Sequence, residues 1–267
     1  MKTLLVSQPI RPEQTPKDLS CHKQKAGLVI SPKQLARFLT VVVVGLVVSH
    51  VSLQFVAYYT GHFDLLGLRR QFDLNHENNI PTWYSSLALL FCAVLLAIIS
   101  LQERKARATH VRYWQTLAAI FVVLATDEAA SIHEMIRPIL APVLQSYDWF
   151  HGYLFYPWVI FGAAGVLIFV TAYLRFLASL PTGTKNLFLL AGTLYVGGAL
   201  GFEYAGSRYH YLYGKENFTY EMLVTCEEGL EMLGIVVFIY ALTSYLVSLR
   251  VELHMLFSDD SLKIKLH

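Results

Sequence analysis

Apolar residues run along this chain in six long blocks separated by short polar stretches. Each block is long enough to cross about 30 Å of hydrocarbon at about 1.5 Å per residue. The blocks are approximately Leu35–Tyr59, Thr82–Leu101, Tyr113–Glu134, His151–Leu177, Asn186–Tyr204 and Met222–Leu249. The pattern predicts an all-α polytopic membrane protein, with a six-helix transmembrane bundle over residues 32–250. A tail of residues 1–31 precedes the bundle and a tail of residues 251–267 follows it. The first span has a clear start: Ser31 as N-cap, Pro32 at the first helical position and Gln34 completing a capping box. The second begins just after Pro81, with Trp83 and Tyr84 where an interfacial aromatic belt belongs.

Composition agrees with the pattern. The chain is 55% hydrophobic and 15% charged, with a mean hydropathy of +0.46, whereas soluble domains carry about 25% charged residues. A net charge of +2 and no basic stripe interleaved with aromatics exclude a nucleic-acid partner. The N-terminal tail is polar, carries Pro9, Pro12 and Pro16, and lacks the apolar stretch of a signal peptide. It reads as a flexible cytoplasmic tail. Cys21, Cys92 and Cys226 have no metal or redox spacing and read as buried free thiols.

Charge sets the orientation. With both termini inside, sixteen of the 21 Lys and Arg residues fall on cytoplasmic segments, as the positive-inside rule requires. The carboxylates lean the other way, with thirteen of 19 in the outer loops or outer halves of spans. Helix rise places Asp127 about 21 Å up from the cytoplasmic end of its span, Glu203 about 26 Å and Glu231 about 27 Å. Gln54 and Ser85 fall at roughly 24–29 Å, and Glu134, Glu227 and Glu228 lie a turn or two further out. The pattern predicts one outward-facing polar site in the outer leaflet.

The densest stretch is Thr126–Glu134, Thr-Asp-Glu-Ala-Ala-Ser-Ile-His-Glu, which continues from the apolar run Leu117–Ala125. An acidic side chain at mid-bilayer costs roughly 2.5–3.5 kcal/mol, so it faces protein or water. Helical spacing groups Asp127, Ser131 and Glu134 on one face. In the last span, Glu227, Glu228 and Glu231 are near neighbours that repel when ionised. A cation, a shared proton or a basic residue must relieve them. Arg137 and Arg208 are the arginines at hand, and two cannot neutralise the whole set. His50, Gln54 and Tyr58 form a polar stripe on the first span, open to either a functional role or helix–helix hydrogen bonding. Gly197, Gly201 and Ala205 read as a face for close helix approach. The loop Asn75–Thr82, with Glu77, reads as a solvated turn that is able to fold over the site.

His and carboxylate groups suit zinc, manganese or iron. No Glu-x-x-His pair, P-loop or Gly-x-Ser-x-Gly elbow is present, and no lysine falls inside a span to carry a retinal Schiff base.

The segments Asn79–Ser86 (Asn-Ile-Pro-Thr-Trp-Tyr-Ser-Ser) and Asp127–Glu134 (Asp-Glu-Ala-Ala-Ser-Ile-His-Glu) together resemble a bacterial family of polytopic membrane proteins that carries no assigned function. Glu77, Asn78, Ser85, Ser86, Asp127 and Glu128 also resemble two features of the CREST membrane hydrolases, the group containing alkaline ceramidases. That group has seven spans and a His-x-x-x-His on the last; this chain has six and presents Glu227, Glu228 and Glu231 there.

The resulting expectation is a metal-dependent hydrolase of the bacterial cytoplasmic (inner) membrane, acting on a lipid-like substrate. Asp127, Glu128, Glu203 and Glu231 are the expected catalytic groups. His133, Glu134 and Glu227 are the expected ligands of a divalent metal, zinc or manganese. His50, Gln54, Glu77, Ser85 and Glu228 complete the polar site. The alternatives are a proton- or cation-coupled transporter taking a small apolar or cationic substrate, and a non-enzymatic assembly or sensor protein. Oligomeric state stays open.

Overall fold

A computed structural model describes residues 31–63, 66–132, 135, 139 and 158–249, and the backbone of 253–258 and 261–266. The chain is an all-α polytopic membrane protein with several long apolar helices. In order these are α1 (Pro32–Thr60), the short α2 (Leu68–Phe72), α3 (Ile80–Lys105), α4 (Val111–Ala130), α5 (Trp158–Ser179), α6 (Thr182–Val196), a π-helical turn (Gly197–Phe202), α7 (Glu203–Tyr213) and α8 (Phe218–Ser248). Beyond the bundle, β1 (Leu253–Ser258) pairs antiparallel with β2 (Ser261–Leu266).

Local chemistry sets the helix starts. The Ser31 hydroxyl accepts the Gln34 N–H at 3.2 Å, and the Gln34 side chain accepts the Ser31 N–H at 3.3 Å, so the capping box forms. Asn79 caps α3 by accepting the Thr82 N–H, and Asn217 caps α8 by accepting the Tyr220 N–H.

Among the described residues, α1, α3, α5, the continuous stretch Thr182–Tyr213, and α8 are long and apolar enough to cross a membrane. The expected third span, α4, is not among the five, because its 20 residues include Arg112, Asp127 and Glu128. It also ends earlier than the sequence pattern predicts. Ser131 takes a left-handed conformation, φ 51°, so the helix that carries Asp127 stops before Ser131, and Glu134, expected on the same face, lies outside the described residues.

The two central helices are α3 and α8, each half buried, whereas α1, α5 and Thr182–Tyr213 bury about a fifth of their length. One apolar core joins Leu89, Leu96, Trp114, Phe176, Ile239 and Leu242. A second joins Val43, Leu46, Leu74, Tyr220, Val224 and Met232, and sits beneath the site described next.

Close helix approach depends on other glycines than the expected pair. A Cβ on Gly198 would meet the Glu227 carbonyl oxygen at 2.6 Å, and one on Gly234 would meet the Tyr195 nitrogen at 2.8 Å. Gly197 and Gly201 have open space around them. The π turn carries more residues per turn than an α-helix, so it rotates the contact face away from the α-helical i, i+4 reading. Of the two cysteines in view, Cys92 is buried but Cys226 is exposed on α8, which faces outward there.

Candidate metal centre

The buried face of α1 is Val43, Leu46, His50, Gln54 and Ala57, a 3–4 residue stripe that packs against α8. Its two polar members, His50 and Gln54, therefore sit inside the protein. Residues 66–79 then fold back over this end of the bundle. Gly61 (φ 74°) ends α1 in the left-handed region and donates its N–H to the Ala57 carbonyl. The Leu74 side chain enters the second core, and the Asn79 amide donates to the Arg70 and Asp73 carbonyls. Asp73 is thereby carried under the fold, beside His50.

The third contributor is Glu221, in the first turn of α8. His50, Asp73 and Glu221 are 1%, 5% and 4% exposed, and one ligand atom from each lies within 4.8 Å of the others. His50 Nδ1 accepts the Leu74 N–H at 3.1 Å and stands 3.6 Å from Asp73 Oδ1. The other ring nitrogen, Nε2, faces Glu221 Oε2 at 3.9 Å, too far for a hydrogen bond, and has no hydrogen-bond partner.

Around this group, Gln54 donates to Glu221 Oε2 at 3.2 Å and accepts from Arg69 Nε at 2.9 Å. The Arg69 guanidinium is 3.8 Å from Glu221 Oε1 and lies over the Tyr58 and Phe63 rings. The arginine thus pairs with Glu221, one of the two buried carboxylates.

An imidazole and two carboxylates form a donor set suited to zinc or manganese. Tetrahedral ligands at zinc distances stand about 3.4 Å apart, so an ion would draw these three together by about 1 Å. An orphaned, buried imidazole nitrogen is costly on its own, and a metal would satisfy it.

This finding corrects the expectation of an outward-facing acidic site. The group able to coordinate a metal is fully buried, because residues 66–79 cover it. Of the residues expected to form the site, only His50 belongs to it, with Gln54 hydrogen-bonded alongside.

Glu221 and Asp73 escaped the sequence reading for different reasons. The last span was expected to begin at Met222, one residue too late for Glu221. The Asn217 cap was the signal that would have moved the helix start back. Asp73 carries no local signal, since only the fold-back brings it to His50.

The expected acidic residues are placed elsewhere. Glu203 Oε1 accepts the Trp158 indole N–H at 3.1 Å, and the Glu203 and Glu227 side chains are in hydrogen-bond contact. Glu228 lies within electrostatic range of Glu231, Glu128, Glu203 and Glu77. The Tyr195 hydroxyl lies near Glu231, Glu128, Glu228 and Asp127. Ser85 is buried on α3. His133 and Glu134, expected as metal ligands, lie outside the described residues.

No curated protein and no solved structure matches this chain. A family model does match residues 36–246, which reach into all five of the apolar spans and include every residue of the buried group, so the chain belongs to the family described as a domain of unknown function, DUF8692.

Proposed function

We propose that this membrane protein binds a divalent metal, zinc or manganese, at His50, Asp73 and Glu221, and that the ion fastens residues 66–79 to the first and last spans. The observation that carries this reading is His50 Nε2, a buried nitrogen without a hydrogen-bond partner, aimed at a carboxylate 3.9 Å away. Three protein ligands leave one tetrahedral position to water, the count of a site open to chemistry. Burial of all three ligands favours the structural role instead. Metal on Nε2 would move the ring proton to Nδ1, which would then give up the Leu74 N–H it accepts and donate toward Asp73 Oδ1, 3.6 Å away, as metal-bound imidazoles commonly do to a carboxylate.

The surrounding architecture in this reading has six spans. α4 crosses as the sixth, supported by its packing along α3, and both termini lie in the cytoplasm of a bacterial inner membrane, the arrangement that the charge bias supports. Residues 32–250 form the membrane domain, with membrane lipid around its exposed apolar faces.

The test is metal analysis of the purified full chain, followed by zinc and manganese titration of the chelator-treated protein. One tightly bound ion per chain, lost in His50→Ala and Glu221→Gln, supports the reading. A folded protein that binds neither ion would overturn it.

A further inference from the structure

A metal held by buried ligands must be handed in from water. Two side chains at ion-pair distance from the group's carboxylates reach the surface among those described. One is Arg69, with a quarter of its side chain exposed. Its guanidinium is pressed over Tyr58 and Phe63, and a fixed positive charge there repels an approaching divalent cation.

The other is His76, whose side chain is 59% exposed and whose Nδ1 is 3.7 Å from Asp73 Oδ2. Asp73 therefore turns one oxygen toward each histidine: Oδ1 toward buried His50, Oδ2 toward exposed His76. The turn keeps them in place. The Asn75 N–H donates to Asp73 Oδ1 at 3.0 Å, and the His76 N–H donates to the Asp73 carbonyl at 3.4 Å.

We infer that His76 and Asp73 form a capture position through which a divalent metal reaches His50 and Glu221. This rests on the metal reading above and adds a route to it. An imidazole nitrogen and a carboxylate oxygen supply two ligands at the water boundary. The ion keeps Asp73 throughout and exchanges His76 for His50 and Glu221, so it is never stripped of all its ligands in a low-dielectric interior, where an unpaired charge is most costly. His76 drops out of the final set.

The experiment measures zinc uptake by the chelator-treated full chain from a fluorescent zinc indicator, and zinc removal by an added chelator, both with time. His76→Ala should slow uptake and removal alike by about tenfold while leaving stoichiometry and Kd within about twofold of the parent, as loss of a route rather than of a ligand requires. His76→Cys, which restores a metal ligand, should recover the fast rates, and a purely structural role for His76 would not show that recovery. Unchanged rates in His76→Ala, with zinc still lost in His50→Ala, would overturn the capture position alone. A Kd that rises along with lost stoichiometry would also overturn it, by making His76 a permanent ligand. No uptake by the folded parent protein of zinc, nor of manganese supplied in its place, would overturn both readings.

Discussion

Gln54 and Glu221, 167 residues apart in the chain, are joined by a buried hydrogen bond of 3.2 Å. The other end of the same amide accepts from Arg69 at 2.9 Å. Gln54→Leu keeps the volume but leaves Glu221 and Arg69 each short of a partner. Leaving buried polar groups unmatched costs about 1–3 kcal/mol. Equilibrium unfolding in detergent should show a loss of that size, and a neutral effect would mean that water replaces the amide at this position.

Gly198 and Gly201 provide a matched pair. Gly198→Ala must push α8 or the π turn apart, since its Cβ would stand 2.6 Å from the Glu227 carbonyl, and overpacking of this kind costs about 1–3 kcal/mol. Gly201→Ala meets nothing within 4 Å and should leave stability unchanged or slightly raised. Equal effects at the two positions would contradict the register that the π turn imposes.

Zinc should stabilise the folded chain by mass action, because the three ligands meet only in the folded state. At a free concentration of about 100 times Kd the gain is about 2.7 kcal/mol. Thermal unfolding with zinc and with chelator measures it directly. Asp73→Asn and Glu221→Gln should each abolish the difference between the two conditions, while the distant Glu203→Gln should retain it.

Asn79 ties the start of α3 to the segment that carries Asp73. Asn79→Ala removes the cap on the Thr82 N–H and both donations to the Arg70 and Asp73 carbonyls. Loss of the cap alone costs about 0.5–2 kcal/mol. Zinc affinity should fall with it by about 10–100-fold, the usual cost of losing an outer support of a metal site. Stability lost with affinity intact would show that Asp73 is held by other means.

Topology turns on α4. If it crosses, reporters fused at the two termini both read cytoplasmic, and one inserted at Lys215–Asn217 reads external. If only the five apolar spans cross, the two termini read from opposite sides. Reporter fusions at all three positions distinguish these results.

The sequence by itself determined the class of the protein. Long apolar blocks leave no alternative to helices in a hydrocarbon solvent, because every backbone N–H and C=O must be satisfied within its own segment. Helix starts with local chemistry were also legible, as the Ser31–Gln34 capping box shows. The stripe of His50 and Gln54 was visible too, since helical spacing is a property of one segment.

What the stripe faces was decided only by the tertiary structure. Asp73 comes from a loop, Glu221 from the far end of the chain, and neither has a local pattern that points to His50. The acidic residues near Asp127 and Glu231 dominated the pattern because charge in an apolar run is conspicuous wherever it lies. Burial is a different property. It arises from residues 66–79 folding back over the helix ends, with Leu74 filling an apolar core and Asn79 securing the turn. Those contacts join segments distant in the chain, so no window of sequence contains them.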